Sequence, residues 1–305
     1  MPGVGMKWRI IVKQIKYLIM NFCLKFLFLC SVSFLLFPLH SYGCTIFTLT
    51  DSDNALFCNS EGADVSVTRI WFIPVTYSSP GERKYGCAFL GLKFPTFPSM
   101  WGQGGVNTEG LAYDFVAGFK ENWEKNNNPN LKKVSGSSAE RMLESCATVE
   151  EAIAFYKKYW EAAFSYAKIL IADRTGKSVI IGVKDGELEF NISKHSRGFG
   201  YGFIKNSNLI GEDTKPTLVN ASLILQKSLQ EGQYATKYSN VFDLKSGNIY
   251  IFRFPHQGIP VRLNLVEELK KGAHYYEIPS LEKQLNQELK SIKLNQIDWF
   301  VEAEN

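Results

Sequence analysis

The first 43 residues of this chain hold no aspartate and no glutamate. Their only charges are Lys7, Arg9, Lys13, Lys16 and Lys25. Histidine is scarce throughout: there are four, and His195, His256 and His274 stand alone, without the spacing that metal ligands show. That pattern excludes a sequence-evident metal centre and places these three at the surface. Cysteine is sparse as well. Beyond residue 43 only Cys44, Cys58, Cys87 and Cys146 remain, too few and too scattered for a disulfide framework. One bridge, Cys87–Cys146, stays open in an oxidising compartment. The glycine-rich stretch Gly102-Gln103-Gly104-Gly105 has no lysine after it and opens no helix, which excludes a phosphate-binding loop. No cofactor is expected.

The apolar run at 26–37 is interrupted only by Ser31 and Ser33. It falls short of the roughly 20 residues that a spanning helix needs. Basic start, apolar middle, and small Ser41 and Gly43 at the exit form a secretory signal peptide cut after Gly43. The translation start stays open between Met1, Met6 and Met20, since 20–43 alone has the form of a compact leader. Counting back to Tyr17 gives the alternative of an uncut anchor, although Lys25 interrupts it. The expected organisation is a signal peptide over 1–43 and a single domain over 44–305. The expected location is outside the cell or in the periplasm.

Leader removal also changes the charge. The whole chain carries 34 basic and 30 acidic residues, and the part from Cys44 onward carries 29 and 30. The basicity belongs to the leader, so nucleic acid is not an expected partner. The expected partner is a small molecule. A membrane is met only through an uncut leader, and homo-oligomerisation stays open.

From Cys44 the chain reads as strands, two helices, strands, a helix, then strands. Strands are expected at 44–50, 55–59, 68–75, 85–92, 167–173, 178–183, 188–192, 199–205, 238–244, 248–254 and 261–265. The segment 102–115 reads as two more strands around a tight turn at Asn107–Gly110. Helices are expected at 137–146, 148–160, 216–230 and 278–292. The second opens with Thr148 followed three residues later by Glu151, a capping box. This order predicts an α+β domain: two mainly antiparallel sheets with helices outside.

Cys44 is the residue with the most chemistry. A cysteine exposed at the N-terminus carries a thiol nucleophile and an α-amine base on one residue. Such a site further needs donors for an oxyanion, a role suited to asparagine side chains, and a group that orients the amine.

Cys44-Thr45-Ile46-Phe47, a turn, then Leu56-Phe57-Cys58-Asn59-Ser60-Glu61 resembles the opening of the choloylglycine hydrolase and penicillin V acylase family. That family comprises linear-amide hydrolases with an N-terminal nucleophile. Thr68-Arg69-Ile70-Trp71-Phe72-Ile73-Pro74 is similar to its next strand. Gly104-Gly105-Val106-Asn107-Thr108-Glu109-Gly110-Leu111-Ala112 resembles its Gly-x-Asn-Glu-x-Gly-Leu-Ala turn. Asn206 falls where the family has its oxyanion asparagine, and Tyr238-Ser239-Asn240-Val241-Phe242-Asp243-Leu244 resembles its closing hairpin. The similarity runs to about Leu281.

The resemblance implies the four-layer αββα sandwich of N-terminal nucleophile hydrolases. It assigns catalysis to Cys44, Asn59, Glu61 and Asn206, and the substrate pocket to Asp114 and Trp101. The chain departs from the bile-salt branch at four places. Asn59 stands where that branch has arginine, and Gly62 where it has aspartate. Lys215 is the nearest basic residue to a later arginine, and Ala117 aligns near a second oxyanion asparagine. The chain is nearer an Asn-x-Glu branch, with Asp64 as a candidate for the missing aspartate. The expected activity is hydrolysis of a linear amide through a thioester on Cys44. Two alternatives remain: an acyltransferase, or a non-catalytic envelope protein tethered by its leader or by lipid on Cys44.

Overall fold

A computed structural model of the chain describes residues 43–64, 67–77, 83–93, 100–253 and 259–285. The leader, Phe94, Phe97, His256 and the part of the expected C-terminal helix beyond 285 lie outside them.

Fourteen strands among the described residues build two antiparallel sheets. The first holds β1 (Thr45–Thr50), β2 (Ala55–Gly62), β10 (Arg197–Gly200), β11 (Thr236–Asp243), β12 (Asn248–Arg253) and β13 (Val261–Asn264), in the order β10-β1-β2-β11-β12-β13. The second holds β3 (Thr68–Ile73), β4 (Cys87–Leu92), β5 (Trp101–Asn107), β6 (Ala112–Ala117), β7 (Ala167–Ala172), β8 (Ser178–Lys184), β9 (Glu187–Ser193) and β14 (His274–Glu277). Its order is β14-β3-β4-β5-β6-β7-β8-β9. The helices are α1 (Ser138–Ser145), α2 (Val149–Tyr156), α3 (Tyr201–Lys205), α4 (Leu218–Lys227), α5 (Leu265–Lys270) and α6 (Leu281–Leu285).

Strand alternation sorts the apolar residues into three layers. Ile46, Phe57, Phe242 and Ile249 of the first sheet meet Ile70, Phe72, Leu90, Val106 and Leu170 of the second. The opposite face of the second sheet, with Phe89, Tyr113, Ile169 and Ile171, packs under Met142 and Leu143 of α1 and Val149 and Ala152 of α2. The opposite face of the first sheet, with Phe47, Leu49 and Val241, packs under Ala221, Ile224 and Leu225 of α4. This is the expected layered sandwich. Its helices start where their caps dictate: Ser137, Thr148 and Thr217 accept backbone N–H groups of Glu140, Glu151 and Asn220.

Three readings of the sequence change. The strand expected at 199–205 stops at Gly200 and turns into α3. Gly200 has φ +101°, and an added Cβ there would strike the Cys44 carbonyl oxygen. The reversed chain then ties back, with Tyr201 N–H donating to Cys44 O (2.9 Å) and Gly202 N–H to Thr45 Oγ1 (2.9 Å). Second, α5 and β14 were not anticipated. They bury His274 at 2 % exposure, with Nε2 2.9 Å from the Glu268 carboxylate and the ring stacked on Phe72. His274 is thus an interior residue, whereas His195 is exposed as expected. Third, Cys87 and Cys146 are both free thiols, so the bridge between them is not formed. Both lie in the layer beneath α1 and α2.

Candidate active site

Cys44 immediately precedes β1, the second strand of the first sheet, and its side chain points into the space between the sheets. It is 3 % exposed. On β2, alternation sends Phe57, Asn59 and Glu61 to the same interior face, since Phe57, and Ala63 just past the strand's end, belong to the inter-sheet core. Register places Thr45 opposite Ser60, which sets Cys44 beside Glu61. The thiol donates to Glu61 Oε1 at 3.1 Å and lies 3.9 Å from the Gly62 carbonyl oxygen. Asn59 Nδ2 donates to the other oxygen, Glu61 Oε2, at 3.2 Å. Three of the four expected catalytic residues therefore form one connected chain.

Two further side chains on this face had no assigned role from the sequence. On β11, Tyr238 stands opposite Glu61 and Asn240 opposite Asn59. Both are buried, and the Tyr238 hydroxyl, both polar atoms of the Asn240 amide and Asn59 Oδ1 have no hydrogen-bond partner. Period-two alternation from Phe242 would have placed them inside, but a sequence does not show which strand lies next to β2.

Asp114 reaches the site from the other sheet. It shares the interior face of β6 with Ala112 and Val116, and β1 packs across β6. Its Oδ1 accepts the Phe115 N–H at 2.7 Å. Its Oδ2 occupies the space beside Gly104, the residue opposite it on β5, where any Cβ would collide with that oxygen.

The electrostatics follow from burial. Desolvation pushes Glu61 up to about 7, against which the hydrogen bonds from Cys44 and Asn59 act only in part. Desolvation, then the Glu61 charge, raises Asp114 well above the usual carboxylate range. Desolvation also raises the Cys44 thiol, with Glu61 and Asp114 adding repulsion. Among the described residues, none of the interactions that tune these three groups comes from a lysine or arginine. With Gly43 still attached, the site is two buried acids and a neutral thiol.

Searches with the sequence find no matching family model and no matching curated protein. The fold does have solved counterparts. Penicillin V acylase from Agrobacterium tumefaciens superposes with a TM-score of 0.56 at 14% identity, over 76% of this chain and 90% of that one. A mutant conjugated bile acid hydrolase from Clostridium perfringens gives 0.57 at 15% identity, over 77% and 96%. A second variant of that hydrolase gives 0.53 at 16%, over 82% and 99%. The chain has the fold of these enzymes. At such identities the likeness carries the sandwich and the strand order, and the chemistry rests on the residues themselves.

Among the described residues, no hydrogen bond joins the thiol to the remaining expected residues. Asn206 is exposed at the C-terminal cap of α3, where its Oδ1 accepts the Asn208 N–H at 3.1 Å. No hydrogen bond among the described residues joins it to Cys44, although α3 itself is tied to the Cys44–Thr45 backbone. Trp101 begins β5, three residues before Gly104, and its indole meets Tyr166 edge-on. Asp64 is exposed and accepts from Gln233, so it does not replace a buried aspartate. Lys215 lines a surface cleft with Thr50, at the far end of β1 from Cys44. The other thiols face away: Cys58 lies under α4, and Cys87 and Cys146 under α1 and α2.

Proposed function

We propose that this protein is an exported hydrolase of linear amide bonds, with Cys44 as nucleophile once residues 1–43 are removed. The observation that carries the reading is the Cys44–Glu61 hydrogen bond at the buried start of β1. With residues 1–43 attached, the thiol's hydrogen-bond acceptors among the described residues are the Glu61 carboxylate and the Gly62 carbonyl oxygen. The thiol's acidity is suppressed by burial and by two acids. A free α-amine, with an ordinary pKa near ~8, is the base that cleavage would supply.

The reaction then needs no cofactor. The neutral α-amine takes the thiol proton, and sulfur attacks the amide carbonyl carbon. The tetrahedral intermediate collapses as the ammonium returns its proton to the leaving nitrogen. A thioester remains on Cys44, and water releases it by the same proton path. Glu61, held by Asn59, orients the amine. The oxyanion donor the resemblance implies is Asn206 through its Nδ2, which the turn with Asn208, made through Oδ1, does not occupy. Cleavage also removes a strain: Cys44 has φ +55°, a left-handed conformation that costs about 1–2 kcal/mol in an L-residue. Without a preceding carbonyl carbon that dihedral no longer exists.

The test is the N-terminus and activity of exported protein. A free Cys44 terminus, with amide hydrolysis lost in Cys44→Ala while the fold persists, supports the reading. A retained leader, a lipid-modified cysteine, or full activity in Cys44→Ala overturns it.

A further inference from the structure

We propose that Asp114 is a positioning residue for the nucleophile, not a wall of the substrate pocket: with Glu61 it clamps the α-ammonium group of Cys44 from the opposite sheet. The inference rests on Cys44 as an N-terminal nucleophile, and it extends that reading to a residue on a different sheet.

Three observations carry it. First, Asp114 is 1 % exposed and fixed by its own strand, through the Phe115 N–H, so it is neither free to follow a substrate nor open to solvent. Second, its other oxygen fills a space that exists only because residue 104 has no side chain. Third, it lies on the interior face of β6, which packs against β1; it feels the Glu61 charge, and Cys44 feels the charge of Asp114. The titratable groups around this point are Cys44 on β1, Glu61 on β2, Asp114 on β6 and Tyr238 on β11. Among the described residues no lysine or arginine side chain is in the groups that tune them, and the α-ammonium is the cation these carboxyls would face.

An α-ammonium supplies that cation and three N–H donors. One meets Glu61, one meets Asp114, and the third faces the sulfur. The proton balance is closed. The neutral amine brings two of these N–H groups; the proton that leaves sulfur makes the third and forms the ammonium, and that same proton goes to the departing nitrogen as the C–N bond breaks. Both carboxyls keep their protonation states through the cycle and hold the ammonium in place, in the way a buried aspartate steadies an imidazolium in a serine protease.

The experiment uses the mature-length chain, beginning at residue 44, with Cys44→Ala to remove the thiol and a nitrogen-15 label on the terminal amine. NMR titration then reads the amine directly, without substrate. The clamp predicts a midpoint above the usual α-amine value. It predicts that Asp114→Asn lowers it by about one unit, a tenfold change in acidity, and that Glu61→Gln does likewise. Gly104→Ala, which pushes Asp114 aside but keeps its charge, is the second variant and lowers the midpoint by a smaller amount. With Cys44 present, Asp114→Asn lowers kcat at least tenfold with KM changed less than twofold. An amine midpoint unmoved by Asp114→Asn but moved by Glu61→Gln overturns the clamp, as does a KM effect with kcat unchanged. These outcomes are independent of whether the cell removes residues 1–43, which N-terminal sequencing decides separately.

Discussion

Cleavage before Cys44 should change how stability depends on pH, and the size of the change can be worked out from one residue. In the uncut chain Glu61 is raised from 4.5 to about 7 by burial. A carboxyl whose folded-state pKa lies above its unfolded value favours the fold only in its protonated form. Its penalty is absent below about pH 4.5, grows as pH rises through the window up to about 7, and is constant beyond. About 2.5 units at roughly 1.4 kcal/mol each gives a loss of about 3 kcal/mol across that window. Asp114 is shifted in the same direction and deepens the loss. In the cut chain an ammonium faces both carboxyls, Glu61 ionises at its ordinary pH or below, and the slope flattens or reverses. The assay is urea unfolding near pH 5 and pH 8 of two chains, one beginning at Cys44 and one carrying a neutral, uncleavable tail before Gly43. The tailed chain should lose at least about 2.5 kcal/mol between the two pH values, and Glu61→Gln should cut that loss to the part Asp114 contributes. Equal slopes in the cut and tailed chains would refute the argument that the amine completes the charge of the site.

Other outcomes follow from particular contacts. Asn240 has Ile251 beside it on β12 and carries two unpartnered amide atoms, so Asn240→Leu should raise stability by about 1–2 kcal/mol in thermal unfolding while lowering kcat/KM. If activity is unchanged, the open amide serves no step of the reaction. Glu268 accepts from Lys271, Tyr276 and the His274 ring at the β14 edge; Glu268→Ala should cost about 3 kcal/mol, since it leaves His274 and Lys271 without their carboxylate. A change within measurement error in denaturant midpoint would show that network to be dispensable. Cys58, Cys87 and Cys146 are buried free thiols outside the inter-sheet space, and burial pushes Cys146 up to about 11. Peptide mapping after brief alkylation of mature native protein should find Cys44 labelled and these three unlabelled until unfolding.

The sandwich was legible because its strands carry period-two patterns and its helices carry caps. Thr148 caps its helix in the structure as its side chain suggested. The site was legible along the chain but not across it. Cys44, Asn59 and Glu61 come from one hairpin, so a local motif could bring them together. Asp114, Tyr238 and Asn240 reach the same space only through the pairing of β2 with β11 and the packing of β1 over β6. No spacing in the sequence encodes those neighbours. The failed strand at 199–205 has a similar cause: Gly200 gives way to the Cys44 carbonyl, a contact between residues more than 150 positions apart. His274 looked isolated for the same reason. Its partner Glu268 precedes it by six residues, but the turn that joins them depends on β14 docking against β3.

The central claim is a thioester on an N-terminal Cys44. The direct measurement is intact-mass and peptide mass spectrometry of the exported protein, before and after acid quenching of its reaction with an activated acyl amide. The account predicts a chain that begins at Cys44 and gains the mass of the acyl group on the peptide that starts there. It also predicts that Cys44→Ala gains nothing. A chain that retains its leader, an acyl group on Cys58, Cys87 or Cys146, or turnover with Cys44 never modified would contradict it.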